Sequence, residues 1–311
     1  RLGQLVFVGR VQLAAHLDAL LPKCPDPGMA LTNLERYVAA SPDPDATLRL
    51  LAANPRTMEI LVQLFSTSQH FSELMIREPD LLDWLRGGAD RRDRDALIAD
   101  LWDELQSAPD EASERLVIRR FRRREMLRIG YNDIVRGIPL EVVTVDLSHL
   151  ADACVEAACR LARRRAEEKH GAPSGRGREP ARFVVLAMGK LGGEELNYSS
   201  DIDLIFLYDV EGQTAGPRAV SNAEFFAKMG SDVVRLLSDH TALGMAYRVD
   251  MRLRPEGDQG ALARSLEATL GYYETSGRTW ERQALIKCRP IAGDLALGRT
   301  FLDPIMPFIY R

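Results

Sequence analysis

The sequence predicts an α+β protein, with a mostly helical N-terminal region over residues 1–170 and a small domain of mixed strands and helices over residues 171–311. Three observations predict it. In the first half, apolar residues recur at helical spacing between Pro and Gly stops. The stretch Gly171-Ala-Pro-Ser-Gly-Arg-Gly then breaks every regular pattern and reads as a flexible connection. Beyond it come short β-branched apolar runs and one strictly alternating segment, the marks of strands.

Taken in order, Asn54-Pro55 opens a helix as N-cap and first helical residue, and Met58, Leu61, Leu64 and Phe65 follow on one face. A second helix covers about residues 71–77 and stops before Pro79. A third carries Leu81, Leu82 and Leu85 and ends at Gly87-Gly88. Residues 113–135 form a strongly basic helix, with Leu116, Phe121, Met126 and Leu127 set among Arg119, Arg120 and Arg122 to Arg124. Such a charge run is either a solvated face whose arginines pair with nearby acids or a surface that docks an acidic partner. Another long helix runs over residues 146–167.

After the glycine-rich break, residues 183–188 and 202–208 read as buried strands. Ser221-Asn-Ala-Glu224 is a capping box, and the helix it opens places Phe226, Met229, Val233, Leu236 and Leu237 on one face. A third strand spans residues 245–253. There Arg248, Asp250, Arg252 and Arg254 share one side, and Val249, Met251 and Leu253 share the other. Helices return over residues 266–273 and 281–288, ending before Pro290.

Composition narrows the function classes. A chain of 311 residues, 46% apolar and 28% charged, is ordinary for a globular protein with a buried core. A formal net charge of -4 gives no electrostatic reason to expect a nucleic-acid partner. Cys24, Cys154, Cys159 and Cys288 are scattered and form no CxxC pair, which fits reduced thiols in a cytoplasmic protein better than disulfides or zinc. No apolar run is long enough to span a bilayer, and the N-terminal residues lack a signal-peptide layout. The missing initiating Met suggests a piece of a longer protein.

The chemistry concentrates at Asp201-Ile202-Asp203. Residues two apart on a strand face the same side, so both carboxylates project together. Their repulsion is relieved by protonation, by solvent or by a divalent cation, and hard oxygens suit Mg²⁺ or Mn²⁺. Just before them, directly after a strand, stands Gly189-Lys190-Leu191-Gly192-Gly193. It is neither a Walker A loop nor GxGxxG. It is either a tight strand-to-helix turn or a place where bare N–H groups approach phosphate oxygens. Asp250 supplies a third carboxylate on a later strand. The arginines beside it make either a salt-bridge ladder or forked clamps on phosphate.

Glycine turn, DxD and a lone later Asp, in that order, resemble the polymerase β-like nucleotidyltransferase superfamily. Longer stretches resemble the glutamine synthetase adenylyltransferase family: MGKLGGEELNYSSDIDLIF (residues 188–206), YRVDMRLRPEG (247–257) and GRTWERQALIKCRP (277–290). Residues 33–36, 48–65 and 72–85 resemble that family's helical region less specifically. These enzymes attach AMP to a tyrosine of glutamine synthetase and remove it, with one catalytic domain for each direction. Asn197 before Tyr198-Ser-Ser-Asp, Arg248 and Met251 around Asp250, and Arg278-Thr-Trp-Glu-Arg282 followed by Ile286-Lys287 resemble the N-terminal, adenylyl-removing domain.

The resemblance implies a small mixed-sheet nucleotidyltransferase domain and phosphorolysis of an adenylyl-tyrosine. Orthophosphate would attack the AMP phosphorus, giving ADP and free tyrosine. It implies a two-metal site of Mg²⁺ (or Mn²⁺) on Asp201, Asp203 and Asp250, the catalytic residues. Gly192, Gly193 and Ser200 would position phosphate oxygens, and Arg252 and Arg254 would clamp the incoming phosphate. Lys287 and Arg289 are weaker candidates, because basic residues near a helix end also complement its dipole. Implied partners are adenylylated glutamine synthetase, orthophosphate, ADP or ATP, and the P-II signal protein, with no nucleic acid and no membrane. The alternatives are adenylylation from ATP, another nucleotidyltransferase acting on RNA or a small molecule, and a silent nucleotide-binding regulatory module.

Overall fold

A computed structural model describes residues 2–175 and 179–310, with side chains from residue 11 onward. Arg176 and Gly177, in the predicted flexible connection, lie outside the described residues. The fold is α+β, and it packs as two compact units: Arg1–Arg91 with Arg123–Val143, and Arg92–Arg122 with Thr144–Arg311. That division differs from the expected boundary at residue 170, because Arg92–Arg122 and the chain from Thr144 onward group with the later residues.

The first unit is helical: α1 (Leu2–Leu20), α2 (Pro27–Ala40), α3 (Pro44–Ala53), α4 (Pro55–Thr67), α5 (Gln69–Arg77) and α6 (Leu81–Gly87). Three of these begin with Pro after Asp or Asn, where the missing N–H is harmless. The Asp26 and Asp43 carboxylates accept the N–H of Met29 and Ala46, as N-caps do. Asn54 does not follow them: its amide donates back to the Leu50 carbonyl at 2.9 Å. The core gathers Leu51, Met58, Leu61, Leu64, Phe65, Met75 and Leu127, all fully buried. At Gly130 an added Cβ would lie 2.2 Å from the Phe71 ring, so only glycine admits that contact.

The second unit contains α7 (Arg94–Leu105), parts of the long helices α8 (Glu111–Ile134) and α9 (Leu140–His170), and everything after them. There follow β1 (Phe183–Met188), the single turn α10 (Gly189–Gly192), β2 (Ile202–Tyr208), α11 (Asn222–Ser238) and β3 (Val249–Asp250). The chain closes with β4 (Ala263–Ser265), α12 (Leu266–Thr275), α13 (Thr279–Leu285), β5 (Arg289–Gly293) and α14 (Leu295–Ile309). The sheet runs β3-β2-β1-β5, with β4 also on β2. β1 is antiparallel to both β2 and β5, and β2 is parallel to β3 and β4.

β1 and β2 fall where their apolar runs predict, buried along almost their whole length. On one face Val184, Leu186, Met188, Ile205 and Leu207 pack against Tyr273, Leu285, Leu297 and Phe301. On α11, Phe226 stacks on Phe183 and Tyr208. Ser221 caps α11 by accepting the Glu224 N–H at 3.2 Å. The reciprocal half of the expected capping box is replaced by an ion pair from Glu224 to Lys228.

The third strand is shorter than the alternation over residues 245–253 suggests: the ladder forms only at Val249–Asp250. The Asp250 carboxylate accepts the Arg252 N–H at 2.8 Å and turns the chain. Pro255 has no N–H to offer, and Glu256 and Gly257 take left-handed backbone conformations. β4 then takes the next place along β2, with Phe206 opposite Ala263. β5 carries Pro290, a residue that usually argues against a strand. It is tolerated because β5 is the sheet edge and Pro290 sits at a register shift.

The arginine-rich stretch of α8 is neither a simple solvated face nor an open basic surface. Arg119 is 1% exposed, and its guanidinium donates to the carbonyls of Leu236, Asp239 and Gly244, satisfying the C-terminal end of α11. Arg128 is equally buried and pairs with Glu125 at 2.6 Å.

Candidate functional site

The predicted acids meet at one end of the sheet. β2 and β3 are parallel with Asp203 opposite Asp250, so their backbones are adjacent strand neighbours, roughly 5 Å apart. Asp201 stands just before β2. The Asp203 carboxyl is pushed above the usual carboxylate range by burial first, then by the charges of Asp250 and Asp201; Arg252 pulls the other way. Three acids therefore share one field.

Two of them already have cationic partners. Arg248 pairs with Asp201. Arg252 grips both oxygens of Asp250 through Nε, at 3.0 and 2.9 Å, and holds that carboxyl below its ordinary range. Both arginines are largely exposed, so neither pair is locked in the interior. Among the described residues no three His, Cys, Asp or Glu side chains are gathered closely enough to cage a metal ion.

The glycine turn makes room for this cluster. Gly189 has φ +55°, and an added Cβ would come 2.7 Å from Asp203 Oδ2. At Gly192 it would come 1.8 Å from the Lys287 carbonyl oxygen, a backbone contact that cannot yield. The Gly193 N–H is engaged by the Gly189 carbonyl at 3.1 Å, so it is not free for the phosphate role the sequence suggests. Lys287 lies against Gly193 and pairs with Glu195.

Ser200 closes a turn, donating to Asn197 Oδ1 at 2.6 Å, and lines a cavity with Asp201 and Arg248. Arg254 departs from expectation. It is only 9% exposed, and its guanidinium donates to the carbonyls of Met251 (2.7 Å) and Gly260 (3.2 Å). It holds the loop after β3 together instead of facing the acids, because the chain leaves the strand before reaching it. Arg289 is likewise structural, with a forked pair to Asp152 at 2.6 and 3.1 Å. Arg94 Nε reaches the same carboxylate at 3.0 Å. The clue to Asp152 was its place in the apolar run Leu150-Ala-Asp-Ala-Cys154, where an acid needs a partner.

The family model for glutamate-ammonia ligase adenylyltransferase matches residues 58–303. The chain belongs to this family. It is 41% identical over 303 residues to a protein of Pseudomonas aeruginosa, covering 96% of this chain and 30% of that protein. It is 41% identical to one of Thioalkalivibrio sulfidiphilus (81% and 26%) and 36% identical to one of Shewanella loihica (91% and 29%). Each of these is named a bifunctional glutamine synthetase adenylyltransferase/adenylyl-removing enzyme. The chain thus spans less than a third of the length of these relatives. No described helix is long and apolar enough to cross a membrane.

Nucleotidyltransferase chemistry implies a divalent cation, and the donor set suits one. All three groups are hard carboxylates, and Asp203 is half-buried among like charges that a cation would relieve. Asp201 and Asp250 would have to release Arg248 and Arg252 to join it.

Proposed function

We propose that this chain carries a nucleotidyl-transfer site that removes AMP from an adenylylated tyrosine of glutamine synthetase by phosphorolysis. The observation that carries it is the register of Asp203 against Asp250, with Asp201 two residues away and the Gly189 turn opened around them. The direction rests on Asn197, Arg248, Met251 and the segment from Arg278 to Lys287, which resemble the adenylyl-removing domain. In this reading Asp201, Asp203 and Asp250 would hold Mg²⁺ or Mn²⁺ as a two-metal site, which would supply positive charge at the reacting phosphorus.

Orthophosphate supplies the nucleophile: its oxygen bonds to the AMP phosphorus, the bond to the tyrosine oxygen breaks, and the products are ADP and a phenolate that takes a proton from water. Orthophosphate is already nucleophilic and tyrosine ionises near pH ~10, so no dedicated general base is required. Arg252, once off Asp250, is placed to hold an incoming oxyanion in a forked pair. Ser200 and the Gly192–Gly193 turn stand at the site's edge, and Lys287, against Gly193, would add positive charge once it releases Glu195. A cytoplasmic setting and control by a P-II signal protein belong to the same proposal.

The test is incubation with adenylylated glutamine synthetase, Mg²⁺ and orthophosphate. Phosphate-dependent ADP is expected, and Asp201→Asn should abolish it with the fold intact. ATP-dependent modification of the unmodified substrate, without ADP from the adenylylated one, would reverse the direction. Activity of Asp201→Asn equal to wild type would remove the acids from the chemistry.

A further inference from the structure

Beside Asp201 lies a cavity of about 280 Å³, formed by the turn that carries Ser199 and Ser200 and by residues 245–248. Arg122, from the basic stretch of α8, forms part of its wall together with Asp201, Tyr247 and Arg248. Its guanidinium lies over the Tyr247 ring, 4.5 Å from the centroid. Tyr247 is only 4% exposed, so the ring is a fixed platform.

The Tyr247 ring face, together with a side-chain hydrogen bond to the Tyr247 hydroxyl, orients the Arg122 guanidinium and leaves its other in-plane N–H donors to be satisfied. Consistent with that, Arg122 Nε is buried and has no hydrogen-bond partner. A buried donor left without a partner is costly, so it calls for an acceptor. The neighbouring arginines on α8 are otherwise employed: Arg119 caps α11, and Arg123 pairs with Glu78. In the cavity wall the charges of Arg248 and Asp201 offset each other, which leaves Arg122 as the excess positive charge. Ser199 and Ser200 add polar side chains to the same lining, the Ser200 hydroxyl already donating to Asn197. Planar forked donors, an excess positive charge and hydroxyls together select a tetrahedral oxyanion.

We propose that Arg122 holds a phosphate group in this cavity, beside Asp201, as a binding residue supplied by the basic helix. The ligand is inorganic phosphate or the phosphoryl group of a nucleotide, and the two share the same recognition chemistry. The proposal rests on reading the acids as a nucleotidyl-transfer site, but its test does not require turnover.

Inorganic phosphate, and separately ADP, is titrated into the 311-residue chain with Mg²⁺ present and followed by phosphorus NMR. Wild type is compared with Arg122→Lys and Arg122→Gln. Phosphate affinity should fall at least tenfold in R122Q and by less in R122K, which keeps the charge but loses the fork. Phosphate affinity unchanged while that of ADP falls would assign the cavity to a nucleotide phosphoryl group. Unchanged affinity for both ligands overturns the proposal. Should R122Q fail to fold by circular dichroism, R122K and Ser199→Ala decide, and wild-type affinity in both overturns it. In turnover, R122Q should raise the KM for phosphate far more than it lowers kcat. Arg122-dependent phosphate binding without ADP from adenylylated glutamine synthetase would leave the cavity standing and end the phosphorolysis reading. ADP formation with an unaltered phosphate KM in R122Q would do the reverse.

Discussion

Two acidic centres in the second unit use the same ingredients to opposite ends. Asp152 has a fully buried side chain and two arginines, Arg94 and Arg289, whose side chains are about one-fifth exposed. Arg94 also donates to the Ile291 carbonyl, and Arg289 to that of Leu191. The pair therefore ties α9 to the strand β5 and to the turn α10. Asp201, Asp203 and Asp250 sit among one another, and the arginines beside them are more than two-thirds exposed. A buried acid with cations fixed on both sides is a fastener. Acids that repel one another, with partners able to swing into water, form a site prepared to exchange a protein cation for another ligand.

The contrast breaks most visibly at Asp152. Asp152→Ala strands two arginine charges in a partly buried setting and should cost about 3–5 kcal/mol of stability. A denaturant midpoint equal to wild type would mean the fastener holds nothing. Next in size is the response to metal. Saturating Mg²⁺ should stabilise wild type by about 2.7 kcal/mol at one hundred times its dissociation constant. Asp203→Asn should show no such shift, and thermal melts with and without Mg²⁺ read this directly.

Without metal, Asp203→Asn should raise Tm, by roughly 1–3 °C, because it removes a carboxylate that burial and its neighbours penalise. The sign with pH follows from the raised folded-state pKa. The penalty is absent at low pH, where Asp203 is protonated, and grows as pH rises through that pKa. The gain from the substitution should therefore vanish in acid and be largest near neutrality; a constant gain would point to packing instead of charge. The smallest difference lies between the arginines: Arg289→Gln should lower Tm, and Arg252→Gln should leave it unchanged.

Much of this was legible in the sequence because burial writes itself as pattern. β1 and β2 are apolar end to end, and α4, α5 and α6 carry their own Pro and Gly punctuation, so their limits could be read closely. The DxD pair and Asp250 could be joined because strand geometry fixes which side chains share a face. Alternation failed over residues 245–253. The sequence cannot reveal that Asp250 will cap the Arg252 N–H and end the ladder, which removes Arg254 from the face that the alternation gives it. β5 hid behind Pro290, whose edge position only the finished sheet defines. Arg119, inside α8, looked like surface charge because the carbonyls of Leu236, Asp239 and Gly244 that it serves lie more than one hundred residues away.

The short β3 has a consequence of its own. Asp250 is attached to β2 by a parallel ladder of two residues, whereas β1 and β2 share a register six residues long. Main-chain amides around Val249 and Asp250 should therefore exchange with solvent through local opening, long before those of β1 exchange through global unfolding. Opening there detaches Asp250 while Asp203 stays on β2 and Asp201 just before it. Any ligand that needs all three then binds only the closed fraction, and its apparent affinity is set partly by how often this two-residue hinge is shut.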